Sequence, residues 1–231
     1  MFFFDTTYML IGGLGFLLSL AASGWVKLEV KKWSQVPMNR GMTGREVAQL
    51  ILDSKGIRNV TIEQSPGMLS DHYDPSSRTL RLSPGNYGGR SIAAAGISAH
   101  EVGHAIQHAE GYWPMGIRQK MVPVANIGTN IGVWMVMIGM FMNATALSKL
   151  GVLLFAGFVI FTLVTLPVEI DASLRARKAL LATGTISGLE ARGVSSVLRA
   201  AAATYVAAAL TAIMQLVYFA MRAGLLGRDD D

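Results

Sequence analysis

The sequence predicts a mainly α membrane protein with about four transmembrane helices and a small α+β core placed between the first two. Three observations carry this expectation. Of the 231 residues only 15% are charged and 52% are apolar, whereas about a quarter are charged in a soluble globular domain. Mean hydropathy is correspondingly positive, at +0.41. Four charge-free stretches, at positions 7–26, 121–148, 150–168 and 200–221, each supply the roughly 20 residues needed to cross a hydrocarbon core.

Taken in order, residues 1–26 form the first transmembrane helix. Their flank, MFFFD, carries no positive charge, which disfavours a cleaved signal peptide. Residues 27–120 read as a folded unit. Thr43-Gly44-Arg45-Glu46 has the form of a capping box, with Val47, Leu50 and Ile51 supplying an apolar face, so a helix is expected from Thr43. A strand at Val60–Glu63 follows. Positions 68–73, the turn Asp74-Pro75-Ser76-Ser77 and the alternation of Leu80 and Leu82 with Arg81 and Ser83 read as a hairpin. Pro84, Gly85, Gly88 and Gly89 break the pattern before a second helix near Ser91.

Residues 121–168 supply two transmembrane helices, the first ending near Asn143, with a short hairpin around Lys149. Leu166-Pro167 predicts a break before the segment 169–199. Residues 200–231 form a last, alanine-rich transmembrane helix and a tail, although alanine richness also suits a buried helix of a soluble core.

Basic residues close to spanning segments stay on the cytoplasmic side. Lys27, Lys31, Lys32 and Arg40 follow the first span, Arg118 and Lys120 precede the second, and Arg175, Arg177 and Lys178 follow the third. Alternating spans put all three groups on one side. Segments 27–120 and 169–199 are therefore expected at the cytoplasmic face of a multi-pass cell-membrane protein, and both termini outside. This dispersal of a net charge of +5 makes the bilayer the expected partner and argues against nucleic acid. Cysteine is absent, which excludes disulfides, thiolate ligands and a cysteine nucleophile.

The chemistry is concentrated in His100-Glu101-Val102-Gly103-His104, an HExxH pattern inside the apolar run SIAAAGISAHEVGHAIQHAEG. Residues four apart on a helix share a face about 6 Å apart along the axis, so two imidazoles can converge on one ion. Glu101, one residue round from His100, can reach a water at the open coordination position and act as its base. The pattern points to Zn2+ and to hydrolysis.

His108 continues the same face, but eight residues of helix is about 12 Å, too far for one ion to bind His100 and His108 together when ligand nitrogens sit about 2 Å from zinc. It is expected to line the cleft or face solvent. Among the remaining candidates for a third ligand, His72 is the one other imidazole, and Glu169 lies just after the third span on the same side as the HExxH helix. Glu169 is the leading candidate, Asp171 the lesser one, and a structural pairing of Glu169 with Arg175 or Arg177 is the alternative.

These residues bring a resemblance into view. The segments SDHYDPSSRTLRLSPGNYGG, SAHEVGHAIQHAEGY and LPVEIDASLRA, together with the order of spans, resemble the YugP-like membrane zinc peptidases, the neutral zinc metallopeptidase family 2. Beyond them lies the broader group containing HtpX and the CAAX-prenyl peptidases. The resemblance implies a zincin-like catalytic core, with His100, His104 and Glu169 as zinc ligands and Ala172 and Ser173 completing an ExxA-type second motif. Many members of the broader group carry aspartate at the position of Ser173. The resemblance also implies a polypeptide substrate laid along a sheet edge, with His72 lining the cleft. Arg199 and Tyr205, near the mouth of the last span, are candidate donors to an oxyanion.

The function expected is zinc-dependent hydrolysis of peptide bonds in membrane or misfolded proteins. The alternatives are a metal-dependent hydrolase of a non-peptide amide and a metal-binding transporter. The transporter fits less well, because Asn126, Asn130 and Gln215 are the main polar residues inside the spans.

Overall fold

The computed structural model describes residues 5–67 and 70–226. Among the described residues four helices are long and apolar enough to cross a membrane, and the remaining elements form a small three-stranded sheet and shorter helices. Met68 and Leu69, at the start of the expected hairpin, lie outside the described residues. The chain divides into two compact units, one made of residues 22–115 and 168–203 and the other of 1–21, 116–167 and 204–231.

The first of these units begins with the carboxy-terminal half of α1 (Thr6–Ser34). Helix α2 (Gly44–Ser54) starts at the expected capping box: the Thr43 hydroxyl accepts from the Glu46 N–H at 3.2 Å, and the Glu46 carboxylate accepts from the Thr43 N–H at 2.7 Å. Three strands follow, β1 (Thr61–Gln64), β2 (His72–Asp74) and β3 (Thr79–Leu82). β3 is central, parallel to β1 and antiparallel to β2. The hairpin is thus β2–β3, and the expected alternation holds over Leu80–Leu82, with both leucines fully buried and Arg81 paired with Glu63 and Asp74, but not at Ser83, which is buried and bonds the Asp71 carboxylate. A one-turn helix, α3 (Pro84–Tyr87), fills the expected break.

Helix α4 (Ile92–Ala109) starts at Ser91, whose hydroxyl caps the Ala94 N–H. Its side chains are buried on almost every face because Leu80 and Leu82 of the sheet, Val47 and Ile51 of α2, and Val168, Ala176 and Val194 share one core with its Val102 and Ile106. Gly111, at φ +66°, ends it, with the Tyr112 N–H returning to the Gln107 carbonyl.

The second unit holds the apolar stretches. Helix α5 (Trp113–Ile127) passes through a π turn at Gly128–Gly132 into α6 (Val133–Phe141). Helices α7 (Thr145–Ala182) and α8 (Gly188–Arg222) complete the four. Glycine lets backbones approach closely here: a Cβ at Gly139 would meet Ser148 at 2.5 Å, and one at Gly151 would meet the Val136 backbone at 2.6 Å. Elsewhere large apolar side chains such as Phe16, Trp134 and Leu153 are exposed, as lipid-facing positions are. The part of α7 in this unit, Thr145–Pro167, is about 23 residues, or about 35 Å, enough to span the hydrocarbon.

Two local expectations are corrected. The turn between the second and third spans falls at Met142–Ala144, where Asn143 takes φ +53°, and Lys149 sits within α7, exposed. Pro167 does not break the chain either: α7 runs through it to Ala182. Proline forfeits one backbone hydrogen bond, and a helix anchored by packing on both sides of it tolerates that loss.

Candidate metal centre

Between Ile92 and Gln107, α4 is buried at every position except Ile97 and His100. These two lie on one face, and His104 is the next residue along it. The face opens toward the part of α7 that carries Glu169, and close approach depends on the residue between the histidines. A Cβ at Gly103 would lie 2.3 Å from the Ala172 carbonyl oxygen, so the two helices meet at van der Waals contact only because the side chain is hydrogen.

That approach brings three donors together. Glu169 Oε2 lies 3.2 Å from His100 Nε2 and 3.5 Å from His104 Nε2, and all three ligand atoms fall within 4.8 Å of one another. Glu169 is only 3% exposed. Two imidazole nitrogens and one carboxylate oxygen, with no thiolate, are the donor set of catalytic zinc sites that keep one position open. The residues present therefore fit the ion the motif calls for.

Each imidazole is held from behind. His104 Nδ1 lies 3.0 Å from Gln107 Oε1, and Gln107 Nε2 donates to the Val168 carbonyl and to Asp171, each at 2.8 Å. Because the amide's donors are both engaged, its oxygen must accept, so Nδ1 of His104 carries the proton and Nε2 presents its lone pair to the site. His100 Nδ1 lies 3.2 Å from the Ser173 hydroxyl. A serine hydroxyl thus takes up the place expected for a second-motif carboxylate, and orients the ring without adding negative charge. Burial disfavours the charged form of His104, but the Glu169 hydrogen bond and the Glu101 and Glu169 charges outweigh it and raise its pKa. The pocket favours positive charge, whether proton or cation.

Glu101 is 8% exposed and adjoins His100 on α4. Asp171 is drawn away from the cluster, accepting from Gln107 and from Arg175, which also pairs with Glu110. Arg175 therefore has carboxylate partners other than Glu169. His108 is turned to the sheet, its Nδ1 2.8 Å from the Tyr73 hydroxyl, beside a cavity of about 400 Å3 lined also by Lys55 and Arg78. His72, next to Tyr73 on β2, points the other way: it is exposed and its ring bonds the Ser70 carbonyl. Arg199 is on α8 in the same unit as the cluster, its Nε donating to the Ser195 carbonyl. Tyr205, partly exposed, belongs to the other unit.

Sequence reasoning passed over Gln107 and Gly103. A glutamine and a glycine inside a helix otherwise rich in alanine and isoleucine around its HExxH pattern were the available signals, since each costs stability there unless a neighbour requires it. Gln107→Leu, which keeps the volume and removes the amide, is expected to weaken zinc binding by roughly ten-fold, read by competition against a chromophoric chelator. Unchanged affinity would make Gln107 a packing residue only.

Two imidazoles from one helix and a carboxylate from another, in a chain with four membrane-length helices, define a class: a membrane protein with a zinc-type metal centre. The chain belongs to the neutral zinc metallopeptidase family, whose model, described as "Putative neutral zinc metallopeptidase", matches residues 8–224. It is 43% identical over 224 residues, 97% of this chain and 98% of the relative, to the "Putative membrane protease YugP" of Bacillus subtilis (strain 168). No solved structure matches it.

Proposed function

We propose that the protein is a membrane-embedded, zinc-dependent endopeptidase acting on membrane or misfolded proteins. The observation that carries this reading is the convergence of His100, His104 and Glu169 within 4.8 Å, beside Glu101, in a chain of this family. When bound, zinc supplies a Lewis acid that polarises a carbonyl and acidifies water. The chain's own residues do the rest. His100, His104 and Glu169 hold the ion, Gln107 and Ser173 fix the two imidazoles, and Glu101 takes the proton from the attacking water and returns it to the leaving amine. Of the two candidate oxyanion donors, Arg199 shares the unit of the metal cluster and is assigned that role. β2, an edge strand, offers backbone groups along which an extended polypeptide can pair without strong sequence demands.

The test is to purify the protein in detergent, measure bound metal, and follow cleavage of an unfolded membrane protein with and without chelator. Cleavage that ignores the chelator overturns the mechanism.

The same reading places the metal centre at the cytoplasmic face, on the distribution of lysine and arginine. Lys55→Cys, in a chain without native cysteine, is expected to resist an impermeant maleimide in intact cells and to react after lysis. Labelling from outside would reverse the orientation.

A further inference from the structure

Beside the metal cluster, the carboxy-terminal part of α7 and the amino-terminal part of α8 enclose a groove of about 660 Å3. Its floor is aliphatic, formed by Ile170, Leu174 and Leu198, and three arginines, Arg177, Arg192 and Arg199, line it. No acidic residue lines it among the described residues. Among the described residues none of the three arginines forms an ion pair. All three are exposed, so the groove carries concentrated positive charge on an apolar bed.

Ser173 joins this groove to the chemistry. Its side chain lines the groove and its hydroxyl lies 3.2 Å from His100 Nδ1. The groove therefore begins one imidazole ring and one hydrogen bond away from the metal position. An extended polypeptide advances about 3.3 Å per residue, so a chain with its scissile carbonyl at the metal places a side chain only one or two residues away at the groove mouth.

The geometry points to this groove as a substrate subsite for acidic side chains, selecting polypeptides that carry aspartate or glutamate within two residues of the cleaved bond. The inference rests on the peptidase reading above. An acidic side chain is the polypeptide chemistry that completes the site: its methylenes cover Ile170 and Leu174, and its carboxylate accepts from the guanidinium groups, which match carboxylates in a planar fork. An anionic lipid headgroup would also satisfy the arginines. Contact with Ser173 favours the substrate, because it sets the groove within one imidazole ring of the metal position, close enough for a side chain of a peptide held there to reach it.

The experiment compares unstructured peptides identical except for Asp, Ala or Lys within two residues of the cleaved bond, in neutral detergent with zinc. The proteins are the full chain and its Arg177→Glu/Arg192→Glu variant, with Arg199 left intact because of its proposed oxyanion contact. Metal content per chain verifies that the variant is folded. The unmodified chain is expected to favour Asp over Lys peptides by roughly ten-fold in kcat/KM, and the variant to lose or reverse that preference, since like charges then face each other across a partly screened site. The same ratio in both proteins overturns the inference. So does a variant that keeps the peptide ratio but loses a response to added phosphatidylglycerol, which would make the groove a lipid site. If no peptide is cleaved at all, the peptidase reading fails. Fluorescence anisotropy then reads the groove separately, where charge reversal must weaken binding of the Asp peptide about ten-fold, and equal or absent binding overturns the subsite.

Discussion

Glu101→Gln is expected to retain a full complement of zinc and to lose peptide hydrolysis by a factor on the order of a hundred or more. The substitution keeps the side chain's size and hydrogen-bonding reach and removes its basicity. Glu101 is on α4 beside His100 but is not one of the three residues whose donor atoms converge, so the ligand set is left intact. Its burial, 8% exposed, matters for the magnitude: an external base reaches the place of the missing carboxylate poorly. The loss should fall on kcat with KM little changed, as befits an interaction made in the transition state. Zinc per chain, measured by atomic emission, and turnover of an unfolded substrate are read on the same preparation. Near-normal turnover would show that another group is the base, whereas loss of zinc along with activity would make Glu101 part of the metal's support.

How far the sequence discloses this site depends on whether the information is local. The α2 capping box was legible because Thr43 and Glu46 complete it within four residues, and the burial of Leu80 and Leu82 followed from strand alternation. The HExxH pair was legible for the same reason, since a four-residue spacing fixes both imidazoles on one face. Lys149 and Pro167 are single residues, and neither interrupts α7. A lysine near a helix end can extend its stem along apolar surface, and a proline is accommodated where packing outweighs one lost hydrogen bond. Gln107 was invisible for a different reason. Its partners, the Val168 carbonyl and Asp171, are more than sixty positions away, and no spacing rule connects them. Gly103 likewise has meaning only once Ala172 is seen against it. The family resemblance named the candidate ligands, but the tautomer of His104 and the use of Ser173 behind His100 emerge only from the packing of α4 on α7.

Glu169→Ala is expected to lower zinc affinity by roughly a hundred-fold or more and to abolish activity at ordinary metal concentrations. With two imidazoles alone the site falls one ligand short of the three protein donors that catalytic zinc sites use. The other sequence candidates are committed elsewhere: Asp171 is engaged by Gln107 and Arg175, and His108 is bonded to Tyr73. Removing a 3%-exposed carboxylate also strips the histidines of the charge that favours a cation between them. Asp171→Ala makes the comparison decisive. It removes a carboxylate two residues away on the same helix, and disturbs His104 only through Gln107, so zinc should be retained with affinity reduced about ten-fold at most. Both variants are read by isothermal titration with zinc in detergent, with helix content from circular dichroism as the check on folding. Zinc kept by Glu169→Ala and lost by Asp171→Ala, in folded proteins, would reject Glu169 as the third ligand and give that role to Asp171.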